Sequence, residues 1–255
     1  MKSLWLRALN LALVGGTLLL CLPLNMPAAA KTGAAGGSGT LDSAARIDYV
    51  TKLSLIQGHL WVAAQLVEAG NADLGARHAK HPEQEVYQEL MPFMAATNSA
   101  GFARELQAMS SAFHADSAAD FRRAYVEVMG VIDAIVRAQG LNSQGLLQVA
   151  VRLVEQAAVE FQAGVKAGGI VDLQEYQDAR GFVEIAGVRL RDKAAVGDSL
   201  ANESGQQARV SAQLAAAKNL WPSLVPKDEM LGDGAELRSL AKTLGAIQVN
   251  EKSAD

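Results

Sequence analysis

Across Ser43–Ala69, Ile56, His59, Ala63, Leu66 and Val67 recur at three- and four-residue steps, and nowhere does the chain alternate polar and apolar residues with period two. The first spacing gives a helix one side to bury, whereas the second is what a half-buried strand needs. Ala, Leu, Gln and Glu dominate the body of the chain and prolines are few, so intrinsic propensity points the same way. The chain reads as all-α. Short connections between amphipathic helices make the expected architecture an antiparallel helical bundle.

The pattern predicts helices over Ser43–Ala69, Asp73–Lys80, Pro82–Ala96, Ala100–Phe113, Ala118–Gln139, Ser143–Ala167, Leu173–Val196, Ser204–Leu220 and, after an irregular Pro226–Gly234, Ala235–Ile247. Asp42 or Ser43 can cap the first helix, and Gly70-Asn71 stops it. Pro82 fits the first turn of a new helix while disfavouring helical geometry in His81. The segments Gln57–Ala64 and Arg180–Gly187 echo each other: each has a helical glycine, then a ring (His59 or Phe182), then an apolar run. A duplicated bundle would leave that trace, and so would the chance likeness of Ala-rich helices.

The N-terminus changes the picture of where the bundle works. Lys2 and Arg7 precede an apolar stretch from Ala8 to Leu24, and Ala28-Ala29-Ala30 supplies small residues of the kind a signal peptidase reads. Residues 1–30 are expected to be a signal peptide, 31–40 a flexible Gly-rich linker and 41–250 the helical-bundle domain, in a protein exported to the periplasm. The apolar stretch is shorter than the ~20 residues that span a bilayer, so an integral membrane protein is not expected. Leu18-Leu19-Leu20 before Cys21 lacks the small residue of a lipidation site. Cleavage after Ala30 would discard that one cysteine, and with it disulfides, thiolate metal sites and cysteine nucleophiles.

Charge narrows the partners. The chain carries 23 basic and 27 acidic side chains, a net charge of −4, and losing the leader with Lys2 and Arg7 makes the balance more acidic still. No nucleic-acid partner is expected of such a surface. Half of the residues are hydrophobic, enough for a sizeable core.

Candidate chemistry is concentrated in the histidines. Three of the four, His59, His78 and His81, fall within 23 positions, and Glu85 follows one turn beyond Pro82. His59 lies on the apolar face of its helix, so its ring should point into the bundle, where its nitrogens must be hydrogen-bonded or metallated. Imidazoles from two helices plus a carboxylate make an N3O set for iron, copper or zinc, with His59, His78, His81 and Glu85 as the metal ligands, and Glu83 able to replace Glu85. The alternative is a satisfied core histidine beside a polar helix junction. His114, beside Asp116, reads as a cap or surface residue. Further along, Asp172, Glu175, Tyr176 and Asp178 open a helix, and its carboxylates could complete a metal site if that helix folds against the first. A non-covalent haem held by a buried histidine with Met91 or Met94 is a further possibility, since no Cys-x-x-Cys-His is present.

The helices carrying Gly58-His59 and Glu175-Tyr176 resemble the imelysin-like family, which includes periplasmic iron-uptake proteins built from duplicated helical bundles. The sequence departs from that family's Gly-x-His-x-x-Glu pattern: Gly58 directly precedes His59, and Val62 stands in the place of the Glu. The resemblance implies iron uptake. No Gly-x-Ser-x-Gly elbow, phosphate loop or dinucleotide fingerprint occurs, which points away from the classical enzyme classes. The expected function is binding of a transition metal or metal complex for uptake or handling. A metal-free module that docks an envelope protein partner is the alternative.

Overall fold

The computed structural model describes residues 41–81, 87–113, 118–196, 203–227 and 231–252, all within one compact unit, Ser38–Asp255. The expected signal peptide and linker lie outside the described residues, as do Pro82, Glu83, Glu85, His114, Asp116 and the side chain of His81. The described chain is essentially all helix: α1 (Ser43–Glu68), α2 (Ala72–His81), α3 (Tyr87–Thr97), α4 (Ala103–Ala112), α5 (Ala118–Ala138), α6 (Ser143–Gly164), α7 (Leu173–Val196), α8 (Glu203–Lys218) and α9 (Ala235–Lys252). None is long and apolar enough to cross a membrane among the described residues.

The helix ends follow from local chemistry. Asp42 caps α1 by accepting from the Ala45 amide at 2.8 Å, and Asn142 caps α6 by accepting from Gly145 at 2.9 Å; a free first-turn amide satisfied in this way contributes ~1 kcal/mol. Gly70, at φ 80°, turns the chain after α1. The sixth helix departs from expectation, stopping at Gly164 rather than Ala167. It gives way to a two-stranded ribbon of β1 (Val165–Lys166) and β2 (Gly169–Ile170), paired Val165 with Ile170 and Lys166 with Gly169. Ala167 and Gly168 both hold positive φ at the turn, the geometry that suits a two-residue hairpin.

Two groups of helices result. α6, α7, α8 and α9 form a closed ring of neighbours, each packed on the next and α9 back on α6. α1 packs against α2, α5, α6 and α7 and gathers the first half of the chain onto that ring. It is buried along most of its length, Tyr49, Val50, Leu53, Ile56, Leu60, Val62, Ala63 and Leu66 being fully enclosed. The expected single buried side is thus only part of what this helix buries: one covered on several faces carries apolar residues on all of them.

α1 and α7 run antiparallel, and the two segments that echo each other in sequence meet where they cross. A Cβ on Gly58 would lie 2.6 Å from the Phe182 ring, and one on Gly181 would collide with the Gly58 carbonyl. Both glycines are there so that the backbones can touch. The following rings, His59 and Phe182, then meet edge to face at 5.1 Å.

Candidate metal centre

Three local features bring His59, His78 and Asp178 together. The Gly58–Gly181 contact sets α7 against α1, and Asp178, one turn before Gly181, reaches His59. Gly70 reverses the chain into α2. Gly75 then lets α2 settle on α1, since a Cβ there would lie 2.8 Å from the Ala63 carbonyl. His78 stands three residues after Gly75, on the same face, and so points at α1 and α7.

The result is a buried cluster. His59 is 5 % exposed, His78 1 % and Asp178 2 %. Asp178 Oδ1 lies 2.6 Å from His59 Nδ1 and 2.9 Å from His78 Nδ1. On its other edge, His78 Nε2 lies 2.7 Å from Gln177 Oε1, and the Gln177 amide nitrogen donates to the Leu224 carbonyl at 2.8 Å. Among the described residues these are the three side chains whose donor atoms converge as metal ligands would, all within 4.8 Å of one another.

Electrostatics here is a contest between burial and pairing. Burial by itself would raise the Asp178 carboxyl, but the adjacent His59 and His78 charges and hydrogen bonds hold it well below the usual carboxylate range. Burial works against the His78 cation too. The Asp178 charge, with hydrogen bonds to Asp178 and Gln177, outweighs it and raises the imidazole above its ordinary value. With the carboxylate ionised, the Nδ1 atoms of His59 and His78 are placed to donate to it. One turn before Asp178, burial and then the hydrogen bond and charge of Glu160 push Glu175 up to about 9.

The donor set fits a divalent transition metal. Two imidazole nitrogens and a carboxylate oxygen form a 2-His-1-carboxylate triad, an arrangement associated with non-haem Fe(II) and also compatible with zinc. In metal sites a contact like the one Gln177 makes is what orients a ligating imidazole.

Of the four ligands expected from sequence, the structure thus brings His59 and His78 together. It describes neither Glu85 nor the side chain of His81. The carboxylate that reaches both imidazoles is Asp178, from the helix weighed as able to complete a site. Gln177 carried no sequence signal beyond its place beside Asp178. The haem alternative finds no support in the placement of its axial residues: Met91 is half exposed and Met94 is buried among the side chains of the core, while the imidazoles of the cluster are committed to Asp178 and Gln177.

The fold and site together define an all-helical protein with a buried two-histidine, one-carboxylate cluster. The model of the iron permease-associated 4-helix bundle domain matches residues 137–249, so the ring α6 to α9 is similar to a helical-bundle family linked to iron uptake. The resemblance to the imelysin-like family is not confirmed. No curated protein and no solved structure matches the chain. Asp178 and Gln177 lie inside the matched residues, whereas His59 and His78 precede them.

Proposed function

We propose that this is a periplasmic iron-binding protein that serves iron uptake, holding one Fe(II) ion with His59, His78 and Asp178. The convergence of two imidazole Nδ1 atoms on one buried carboxylate oxygen carries the reading. The similarity of residues 137–249 to the iron permease-associated domain favours iron over zinc or copper as the cargo. Export rests on the leader-like N-terminus, and delivery to an iron permease is the step the family's name supports.

A second reading has its own observation. The cluster closes without an ion, because Asp178 accepts from both imidazoles and Gln177 accepts from the second. On that reading the group is a buried ion pair in an envelope interaction module.

Metal analysis of untagged protein purified from the periplasm, with anaerobic Fe(II) titration, separates the two. The iron reading expects about one equivalent, tight in the wild type and lost in Asp178→Asn. Traces of metal and no Fe(II) uptake would leave the ion pair. His81→Ala and Glu85→Ala test whether the remaining coordination positions are filled by the other residues singled out in the sequence.

A further inference from the structure

His78 is gripped by two neighbouring residues of one helix. Positions 177 and 178 project ~100° apart around α7, and Asp178 takes one edge of the ring while Gln177 takes the other. A glutamine amide can in principle present either its oxygen or its nitrogen. Here the Leu224 carbonyl decides, since a carbonyl can only accept: the Gln177 nitrogen donates to it at 2.8 Å, which leaves Oε1 facing His78 Nε2 at 2.7 Å. Two bare acceptors at that distance repel, so a proton must lie between them.

We propose that Gln177 is a positioning residue: it keeps a proton on His78 Nε2 and so commits Nδ1 to the metal. The part concerning the metal rests on the iron-centre reading. The placement of the proton does not.

The chain segment that directs Gln177 is itself tied down. Trp221 Nε1 donates to the Tyr176 carbonyl at 2.7 Å and the Tyr176 hydroxyl donates to the Ser223 carbonyl at 2.8 Å. Those bonds fix residues 221–224 along α7, so the Leu224 carbonyl cannot drift from the amide. The support of a ligand on α2 therefore runs through α7 to the segment after α8. Gln177 and His78 are each only 1 % exposed, so water does not compete for either edge of the ring.

The test uses the full exported chain with ¹⁵N-labelled histidine. In metal-free wild type, nuclear magnetic resonance should find a proton on His78 Nε2 in slow exchange with solvent. Gln177→Leu should lose that protection, while Gln177→Glu, which keeps an acceptor for His78 but no donor for Leu224, should retain it. Zinc serves as a diamagnetic probe and Fe(II) as the cargo. Gln177→Leu should weaken both by ~10–100-fold, the usual cost of losing a ligand's outer hydrogen bond, with Gln177→Glu nearer wild type in affinity although less stable. A bare His78 Nε2 in the wild type, or unchanged affinity in Gln177→Leu, overturns the proposal. If Gln177→Leu does not fold, loss of Nε2–H protection in Gln177→Glu overturns it as well. A protected Nε2–H in a wild type that takes up no Fe(II) would instead sink the iron centre and uphold the placement of the proton.

Discussion

Two buried polar clusters join α1 to α7, one on each side of the Gly58–Gly181 crossing. On one side Arg189, 2 % exposed, donates to Ser54 Oγ at 3.0 Å, to Asp192 at 2.7 Å and to Gln57 Oε1, while Gln57 donates to Asp133 on α5 at 2.8 Å. On the other side stand His59, His78 and Asp178. The Arg189 cluster brings its own permanent cation, and each contact runs from a donor to an acceptor. In the histidine cluster two imidazole nitrogens face one carboxylate oxygen, and each nitrogen can present either a proton or a lone pair. Any positive charge there has to come from outside, as a proton or a metal ion. The first arrangement is a fastener, and the second is the candidate site.

The largest expected effect tests the fastener. Arg189→Met removes the cation and leaves Ser54 Oγ and Gln57 Oε1 without their buried donor, while the part-exposed Asp133 and Asp192 can turn to water; each buried acceptor left unpaired costs ~1–3 kcal/mol. Denaturant unfolding should report the same loss with and without Fe(II). A loss that depends on iron would break the comparison.

Asp178→Asn tests the other side. The amide cannot supply the charge that stabilises His78, so the metal-free protein should lose ~1–3 kcal/mol, and Fe(II) affinity should fall at least ~100-fold. Retained affinity, measured by anaerobic titration, would return the cluster to a purely structural role.

The sign of the pH dependence sharpens the distinction. His78 is raised above 6.5 in the folded state, so the stability it contributes is full below the unfolded value, ~6.5, and is lost as pH rises through the folded value. Asp178 is lowered, so its contribution is full above the unfolded value, ~3.9, and fades as pH falls toward the folded one. Between those limits the metal-free protein should therefore weaken as pH climbs past ~6.5. Iron binding should strengthen over the same interval, because the ion needs a neutral His78 Nδ1. Melting curves and Fe(II) titrations across that range should slope in opposite directions, and parallel slopes would contradict an exchange of proton for metal.

The smallest effect lies one turn away. Glu175, pushed up to about 9 by burial and then by Glu160, favours the folded state below its unfolded value, ~4.3, and loses that contribution as pH rises toward 9. Glu175→Gln should relieve the repulsion and stabilise the protein near pH 7. Discounted for solvent screening at a half-buried group, the gain is ~1 kcal/mol, visible as a small rise in melting temperature.

Much of the fold was legible because helices are local. The first helix was expected over Ser43–Ala69 and occupies Ser43–Glu68, and the seventh occupies Leu173–Val196 as expected. The ribbon after Gly164 was not anticipated, since strands of two residues are too short to show alternation. Its one signal was Gly168, which supplies the second positive-φ position of the Ala167-Gly168 turn. Arg189 also went unread, although an arginine inside the apolar run Val188 to Leu190 is an invitation to look for buried acceptors.

The chain's own pattern determined that it is helical, that His59 faces inward, and that its polar surface is acidic, because propensity, periodicity and charge are properties of neighbouring residues. Only the tertiary structure decided which carboxylate meets the histidines. Asp178 and His59 stand 119 positions apart, and their meeting depends on two glycines that let α1 and α7 touch. Nothing within a helical turn of either residue records that contact. Gln177 was beyond sequence for the same reason: its role follows from a carbonyl at Leu224, 47 residues away, and a backbone carbonyl has no letter in the sequence.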